Sequence, residues 1–193
     1  MAGMTENFLK AFIPLFVAID PIGLAAVFLA MSVGVPEARQ KKIATQAAWT
    51  GGVVALLFLF LGRTIFSALG ITVSDFQIAG GLILFIIASR DIILSAVVEP
   101  AKPADDFGVV PLGMPLIAGP ASITTLILLS ETVGMPVTLL ALLVNLVLVV
   151  LAFAYSGWLG RKLGVAGMRA LSKIVSLLLA AIAVNMIRHG LAN

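Results

Sequence analysis

The sequence has no cysteine, one histidine and few charged residues, and each of these absences excludes a class of chemistry. Without cysteine there is no disulfide framework, thiolate metal site or thiol nucleophile. The single histidine, His189, lies close to the C-terminus, which excludes histidine metal clusters and serine–histidine catalysis. The remaining sequence contains no recognisable catalytic constellation and no nucleotide-binding loop. We therefore predict that the protein is not an enzyme and holds no metal or organic cofactor.

The composition indicates a lipid environment. Charged residues make up 11% of the chain and apolar residues 61%, with a mean hydropathy of +1.18. Soluble domains are only about half apolar. A spanning helix needs about 20 apolar residues, and the sequence divides into six such runs. The predicted spans are residues 8–31, 47–69, 76–98, 109–130, 137–158 and 172–188. We therefore predict an all-α, polytopic membrane protein.

The basic residues predict the orientation of these spans. The connections are residues 34–42, 70–75, 99–106, 131–136 and 160–169. The odd-numbered connections and the residues beside them hold Arg39, Lys41, Lys42, Lys102, Arg161, Lys162, Arg169 and Lys173. Basic residues favour the cytoplasmic side, so we expect the odd loops in the cytoplasm and both termini outside an inner or plasma membrane. The net charge of +3 is scattered among these loops, so it indicates topology and not nucleic-acid binding.

The two halves of the chain resemble each other. Residues 18–23 align with 117–122, residues 60–63 with 158–161, and residues 81–84 with 176–179, in the same order. Each half contains three predicted spans, so the second half must enter the membrane in the opposite direction. We predict one membrane domain, residues 1–193, built from two inverted repeats at about 8–98 and 109–190.

The first span of each half contains a helix-breaking motif. Asp20-Pro21 lies in the first span, and Gly119-Pro120 lies in the fourth. Proline has no backbone N–H and is well suited to the first position of a helix, so each span should open and start a second half-helix there. The start of a half-helix favours an anionic group such as a carboxylate, and the freed carbonyls favour a cation or an ammonium group. Together they predict a site for a zwitterion.

Asp20 is the strongest single candidate for function. A carboxylate inside a span is costly and normally faces a bundle interior or an aqueous cavity, where it can bind a substrate amine, a proton or Na⁺. The alternative is that Asp20 only caps the half-helix at Pro21 and stays buried and protonated. For Ser122, Thr124 and Thr125 the alternative is ordinary helix–helix hydrogen bonding. The predicted substrate or ion site comprises Asp20, Pro21, Gly23, Gly119, Pro120, Ala121, Ser122, Thr124 and Thr125.

Residues outside the two breaks are predicted to form a gate or to pack the helices together. Arg90 and Asp91 are candidates for a charge pair or gate together with Asn185, unless they extend toward the cytoplasmic end of the span. Asn145 in the fifth span is explained by hydrogen bonding between helices. The glycine pairs at 51–52 and 80–81 are expected to allow close helix approach.

Three motifs resemble the MarC family of bacterial and archaeal membrane proteins, also grouped as UPF0056. They are FVAIDPIG at residues 16–23, IAGGLI at 78–83 and PLGMPLIAGPASIT at 111–124. The resemblance covers essentially the whole chain. It implies six helices and, from members described as neutral amino acid transporters, carriage of small amino acids such as glycine and alanine. Family members often have Gly-Pro-Gly where this chain has Gly119-Pro120-Ala121, and the extra methyl group narrows the site or stiffens the break.

The leading hypothesis is a secondary transporter of small neutral amino acids, driven by H⁺ or Na⁺ and working by rocking of the two halves. One alternative is an exporter of drugs or metabolites on the same scaffold. The low aromatic content of 7% favours the amino acid carrier, because a drug pocket depends more on aromatic walls. A further alternative is a channel or a membrane protein without transport activity.

Overall fold

The computed structural model describes residues 2–94 and 107–192, and within these ranges the chain is helical with no strand. Four α-helices precede a π-helical segment, and two follow it. Their bounds are α1 Ala2–Ile19, α2 Pro21–Met31, α3 Glu37–Leu69, α4 Val73–Leu94, the π-helical segment Gly108–Ile117, α5 Pro120–Thr132 and α6 Met135–Ala192. The predicted all-α class is confirmed.

Four helical stretches are long and apolar enough to cross a membrane. They are Thr5–Met31, Glu37–Leu69, Met135–Trp158 and Lys173–Ala192. The π-helical segment and α5 form a further candidate, a broken span bent by 47°. The apolar part of α4, Val73–Ser89, is shorter. By length and composition the described helices thus provide four spans, or five if the bent pair counts as one.

α3 begins earlier than predicted. We expected a connection over residues 34–42, but the helix starts at Glu37, directly after Pro36 at its N-cap. Lysine, arginine and glutamine are good helix formers, so the basic stretch continues the helix instead of forming a loop. At 33 residues, α3 is about 50 Å long and exceeds the hydrocarbon core of a bilayer, which is about 30 Å thick.

The predicted connection at residues 160–169 is also helical, because α6 continues from Met135 to Ala192. No proline follows Pro136, and glycine weakens a helix without removing its hydrogen-bond donors. A straight helix would nevertheless place Leu146 and Met186 about 60 Å apart.

The neighbours of these two residues show that α6 is not straight. Leu146 lies against Gly52, and Met186 lies against Gly80. The glycine at 51 packs on Ile117 and Gly80 packs on Pro120, only three residues further along the same broken span. The two ends of α6 therefore lie close to a common centre, and its path must turn between them.

α3 runs alongside the second broken span in the same direction. Gly51 packs on Ile117, and Gly62, three turns later, packs on Ile127. A Cβ atom at position 51 would lie 2.6 Å from the Cβ of Ile117, so only glycine allows this approach. The predicted role of the glycines at 51–52 in helix packing is confirmed.

α4 packs against the C-terminal part of α6 in the opposite direction. Gly81 lies against Ala183 and Ile187, and Gly190 lies against Ile78. A Cβ at Gly81 would come within 2.8 Å of the Ala183 carbonyl oxygen. The predicted close approach at the 80–81 glycine pair is therefore also confirmed, and it brings α4 next to the start of α5.

Candidate functional site: two broken spans

The first break is centred on Asp20, between α1 and α2. Its backbone is left-handed, with φ 50° and ψ 67°, and Pro21 starts α2 directly after it. The Asp20 carboxylate accepts a hydrogen bond of 3.0 Å from the backbone N–H of Gly23, and the Asp20 carbonyl accepts one of 2.9 Å from Leu24. Aspartate tolerates the left-handed region better than most residues and is a favoured N-cap. The predicted start of a half-helix at Pro21 is confirmed.

Gly23 makes this cap possible. A Cβ at Gly23 would overlap the Oδ2 atom of Asp20, so a larger residue would displace the carboxylate. The alternative interpretation was that Asp20 caps the half-helix at Pro21 and stays buried. The cap is observed, but the predicted burial is wrong. The side chain is exposed in this chain, next to Val17 and Ile22, which are 70% and 72% exposed.

The second break lies between the π-helical segment and α5. Pro111 and Pro115 interrupt the segment, and Val110 and Met114, the residues before them, have extended backbones. The remaining hydrogen bonds span five residues, as from Ala118 N–H to the Gly113 carbonyl at 3.0 Å. A residue before proline is pushed out of the α region, which explains why regular helix cannot form here.

Gly119 is the N-cap of α5, and Pro120 is its first residue, as predicted. Gly119 is buried with an extended backbone, φ −98° and ψ 172°. A Cβ at this position would overlap the carbonyl oxygen of Pro115. The chain therefore folds back on itself so tightly that this position has no room for a side chain.

The hydroxyl groups near the second break bond to nearby backbone. The buried Ser122 hydroxyl accepts from Gly119 N–H at 3.0 Å and lies 2.7 Å from the Ile117 carbonyl oxygen, to which it donates. Thr124 and Thr125 donate to the carbonyls of Pro120 and Ala121, both at 2.7 Å. The Thr124 and Thr125 bonds lie within α5, whereas Ser122 joins α5 to the end of the π-helical segment and so clamps the break.

The two half-helix starts differ in charge. The start of α2 carries the Asp20 carboxylate, whereas α5 has no acidic residue in its first turn. In the described structure no hydrogen bond is made by the N–H groups of Ala121 and Ser122, so the start of α5 keeps its partial positive charge. One break can therefore hold a cation, and the other can hold an anion.

The two broken spans cross in opposite directions. The ring of Phe28, near the end of the first, lies 6.4 Å from that of Phe107, at the start of the second. The Phe28 ring also lies 4.8 Å from Phe153 of α6. At the other end, α1 packs against α5. This antiparallel pairing places the two breaks at similar heights, since each lies roughly midway along its span.

Of the three residues of the predicted gate, the structure describes only the side chain of Asn185. Arg90 and Asp91 lie in α4, but their side chains are outside the described part of the structure. Asn185 is exposed, and its amide oxygen accepts a 3.0 Å hydrogen bond from Arg188 in the same helix. The gate therefore stays a prediction.

Asn145 departs from the expected role in helix–helix bonding. It is completely buried, and its amide N–H donates 2.9 Å to the Ala141 carbonyl of its own helix. Its Oδ1 atom has no partner among the described residues. In the sequence, Asn145 is a lone amide in the middle of an apolar span. A hydrogen bond to a neighbouring helix explained that pattern as well as a binding role did.

The chain matches known proteins along almost its whole length. Residues 5–193 match the family described as "MarC family integral membrane protein". A UPF0056 membrane protein of Methanocaldococcus jannaschii is 33% identical, over 96% of this chain and 87% of its own length. YvbG of Bacillus subtilis is 32% identical over 97% and 95% of the two chains, and YhcE of Escherichia coli is 30% identical over 95% and 91%. No solved structure matches. On this evidence the chain belongs to the MarC family of multi-pass integral membrane proteins.

Proposed function

We propose that this protein is a secondary active transporter of small neutral amino acids of the glycine and alanine type, coupled to H⁺ or Na⁺. The observation that carries the proposal is the pair of antiparallel broken spans. In one, the Asp20 carboxylate caps the start of α2; in the other, the start of α5 has unpaired N–H groups. Discontinuous helices of this kind bind substrates and coupling ions in inverted-repeat transporters.

The second break suits the carboxylate of the substrate. The free N–H groups of Ala121 and Ser122 point along the start of α5, where a negative charge is stabilised. Prolines also free acceptors: Pro21 and Pro120 cannot donate to the carbonyls of Val17 and Leu116, four residues earlier. These oxygens suit the ammonium group. The methyl group of Ala121 and the crowding at the break favour a small substrate side chain.

Asp20 is proposed to bind the coupling ion. Its Oδ1 atom caps α2 at Gly23, which fixes the carboxylate beside the break. The side chain lies outside the packed core of this chain, so ion binding there requires no rearrangement of the core. Ion binding neutralises the negative charge of the Asp20 carboxylate at the start of α2. The charge at the first break therefore differs between the ion-bound and ion-free states of the transporter.

The proposal includes six spans in two inverted repeats. α4 serves as the third span, and the two ends of the turned α6 serve as the fifth and sixth. We propose that the odd-numbered loops lie in the cytoplasm and both termini outside. Lys162 lies 4.2 Å from the ring centre of Trp158, and an aromatic–basic pair of this kind suits the headgroup region at the cytoplasmic end. Arg90, Asp91 and Asn185 remain the proposed gate.

Counterflow in proteoliposomes tests the function. Liposomes loaded with unlabelled alanine or glycine should accumulate the labelled amino acid transiently and saturably, and an imposed Na⁺ or pH gradient should enhance uptake. Selective efflux of drugs instead would support the exporter. Flux without counterflow would support a channel. Wild-type protein that is folded and inserted but shows no amino acid flux under any gradient would overturn the proposal.

A further inference from the structure

Three buried acceptor atoms have no hydrogen-bond partner among the described residues: Ser32 Oγ, Gln77 Oε1 and Asn145 Oδ1. Buried polar atoms are nearly always paired, so each requires an explanation. Ser32 lies in the turn after α2. Asn145 differs because its whole side chain is inaccessible, with 0% exposure, in the middle of an apolar helix.

The orientation of the Asn145 amide is fixed by its one hydrogen bond. The Ala141 carbonyl lies 2.9 Å from Nδ2, and only the NH₂ end of the amide can donate to it. The opposite end, Oδ1, is therefore the free one. It is an acceptor, so the missing partner must be a donor.

Asn145 lies at the height of both breaks. The aromatic cluster of Phe28, Phe107 and Phe153 gives a common reference level. Counting from it, Asp20 lies eight residues before Phe28, and Asn145 lies eight residues before Phe153. Both separations correspond to a rise of about 12 Å in helix.

A second contact supports the same height. The residue after Asn145, Leu146, packs on Gly52, and the adjacent Gly51 packs on Ile117 at the edge of the second break. The unpaired amide oxygen therefore lies near the level where both broken spans open.

We propose that Asn145 Oδ1 accepts a hydrogen bond from the ammonium group of the transported amino acid. The inference rests on the proposed function and deepens it, since it assigns a binding residue outside both breaks. The ammonium group supplies the donor that Oδ1 lacks, while the start of α5 holds the substrate carboxylate. An orphaned acceptor destabilises the empty protein, and a site keeps such a group when binding requires it.

Asn145→Leu separates this role from a structural one because the two predict opposite changes in stability. Leucine has the same branching and the same number of side-chain heavy atoms as asparagine, and it removes the unpaired acceptor. We therefore expect the empty variant to melt at the same or a higher temperature than wild type. In alanine and glycine counterflow, the half-saturation concentration should rise about tenfold or more, since a hydrogen bond to a charged group is lost.

Ser156→Ala is the matched control. Ser156 is buried in the same helix, and its hydroxyl is satisfied by the Phe153 carbonyl at 2.6 Å. This variant should melt at the same or a slightly lower temperature and keep the wild-type half-saturation concentration.

The outcomes distinguish the inference from the proposed function. Wild-type counterflow with an unchanged half-saturation concentration in Asn145→Leu would overturn only the role of Asn145. A clearly lower melting temperature of empty Asn145→Leu would also overturn it, by making the amide structural. Absence of wild-type counterflow would overturn the function and this role together.

Discussion

Asp20→Asn is expected to leave the fold and the melting temperature nearly unchanged while lowering gradient-driven amino acid uptake at least about tenfold. Asparagine tolerates the left-handed backbone at this position, and its amide oxygen can still accept the N–H of Gly23. The substitution removes only the charge and the site of protonation. Uptake measured in proteoliposomes, together with a thermal melt in detergent, checks both parts.

The control for this prediction is Asp20→Ala, which removes the cap as well as the charge. Loss of an N-cap costs about 1 kcal/mol, and a residue other than Asn, Asp or Gly is strained in the left-handed region. Asp20→Ala should therefore melt lower than Asp20→Asn. If Asp20→Asn retained the wild-type rate and gradient dependence, Asp20 would be a cap and nothing more.

Gly119→Ala should both destabilise the protein and abolish transport. The added methyl group would overlap the Pro115 carbonyl, and backbone on both sides of the break must move to make room. Overpacking of this kind costs about 1–3 kcal/mol. The shift would also displace the Ser122 clamp, because Gly119 N–H is one of its partners. Uptake assays and thermal melts of the purified variant measure the two effects.

Gly52→Ala is the comparison for Gly119→Ala. At this position the new methyl group would meet only the flexible end of the Leu146 side chain, at 3.3 Å. We expect a shift of under about 1 kcal/mol, with helix propensity gained and a small adjustment of Leu146. Equal effects of the two substitutions would show that the break has no special geometry.

The helix breaks were predictable from sequence because proline acts locally. Pro21 and Pro120 lack a backbone N–H wherever they occur, so both half-helix starts could be located by inspection. The close packing at Gly51 and Gly81 was predictable for the same reason: a missing side chain has few uses within an apolar span.

Features set by tertiary packing were not predictable. Whether Asp20 is buried or exposed depends on which side of α1 packs against its neighbours, and the sequence near Asp20 is apolar on both sides. The helical path at 160–169 was missed because charge and glycine signal a connection without forbidding helix. The unpaired oxygen of Asn145 depends on what surrounds it, which one amide in a sequence cannot reveal.

A single cysteine at Ala121 reports whether the start of α5 binds substrate. The chain has no native cysteine, so Ala121→Cys carries the only thiol. Ala121 is exposed at the break, and Leu128, seven residues later and 57% exposed, provides the control Leu128→Cys on the same side of α5. We expect a hydrophilic thiol reagent to modify Ala121→Cys and saturating alanine to slow this reaction. The reactivity of Leu128→Cys should be unaffected by alanine. A thiol at position 121 that is inert, or that reacts equally fast with and without alanine, would show that substrate does not bind at the start of α5.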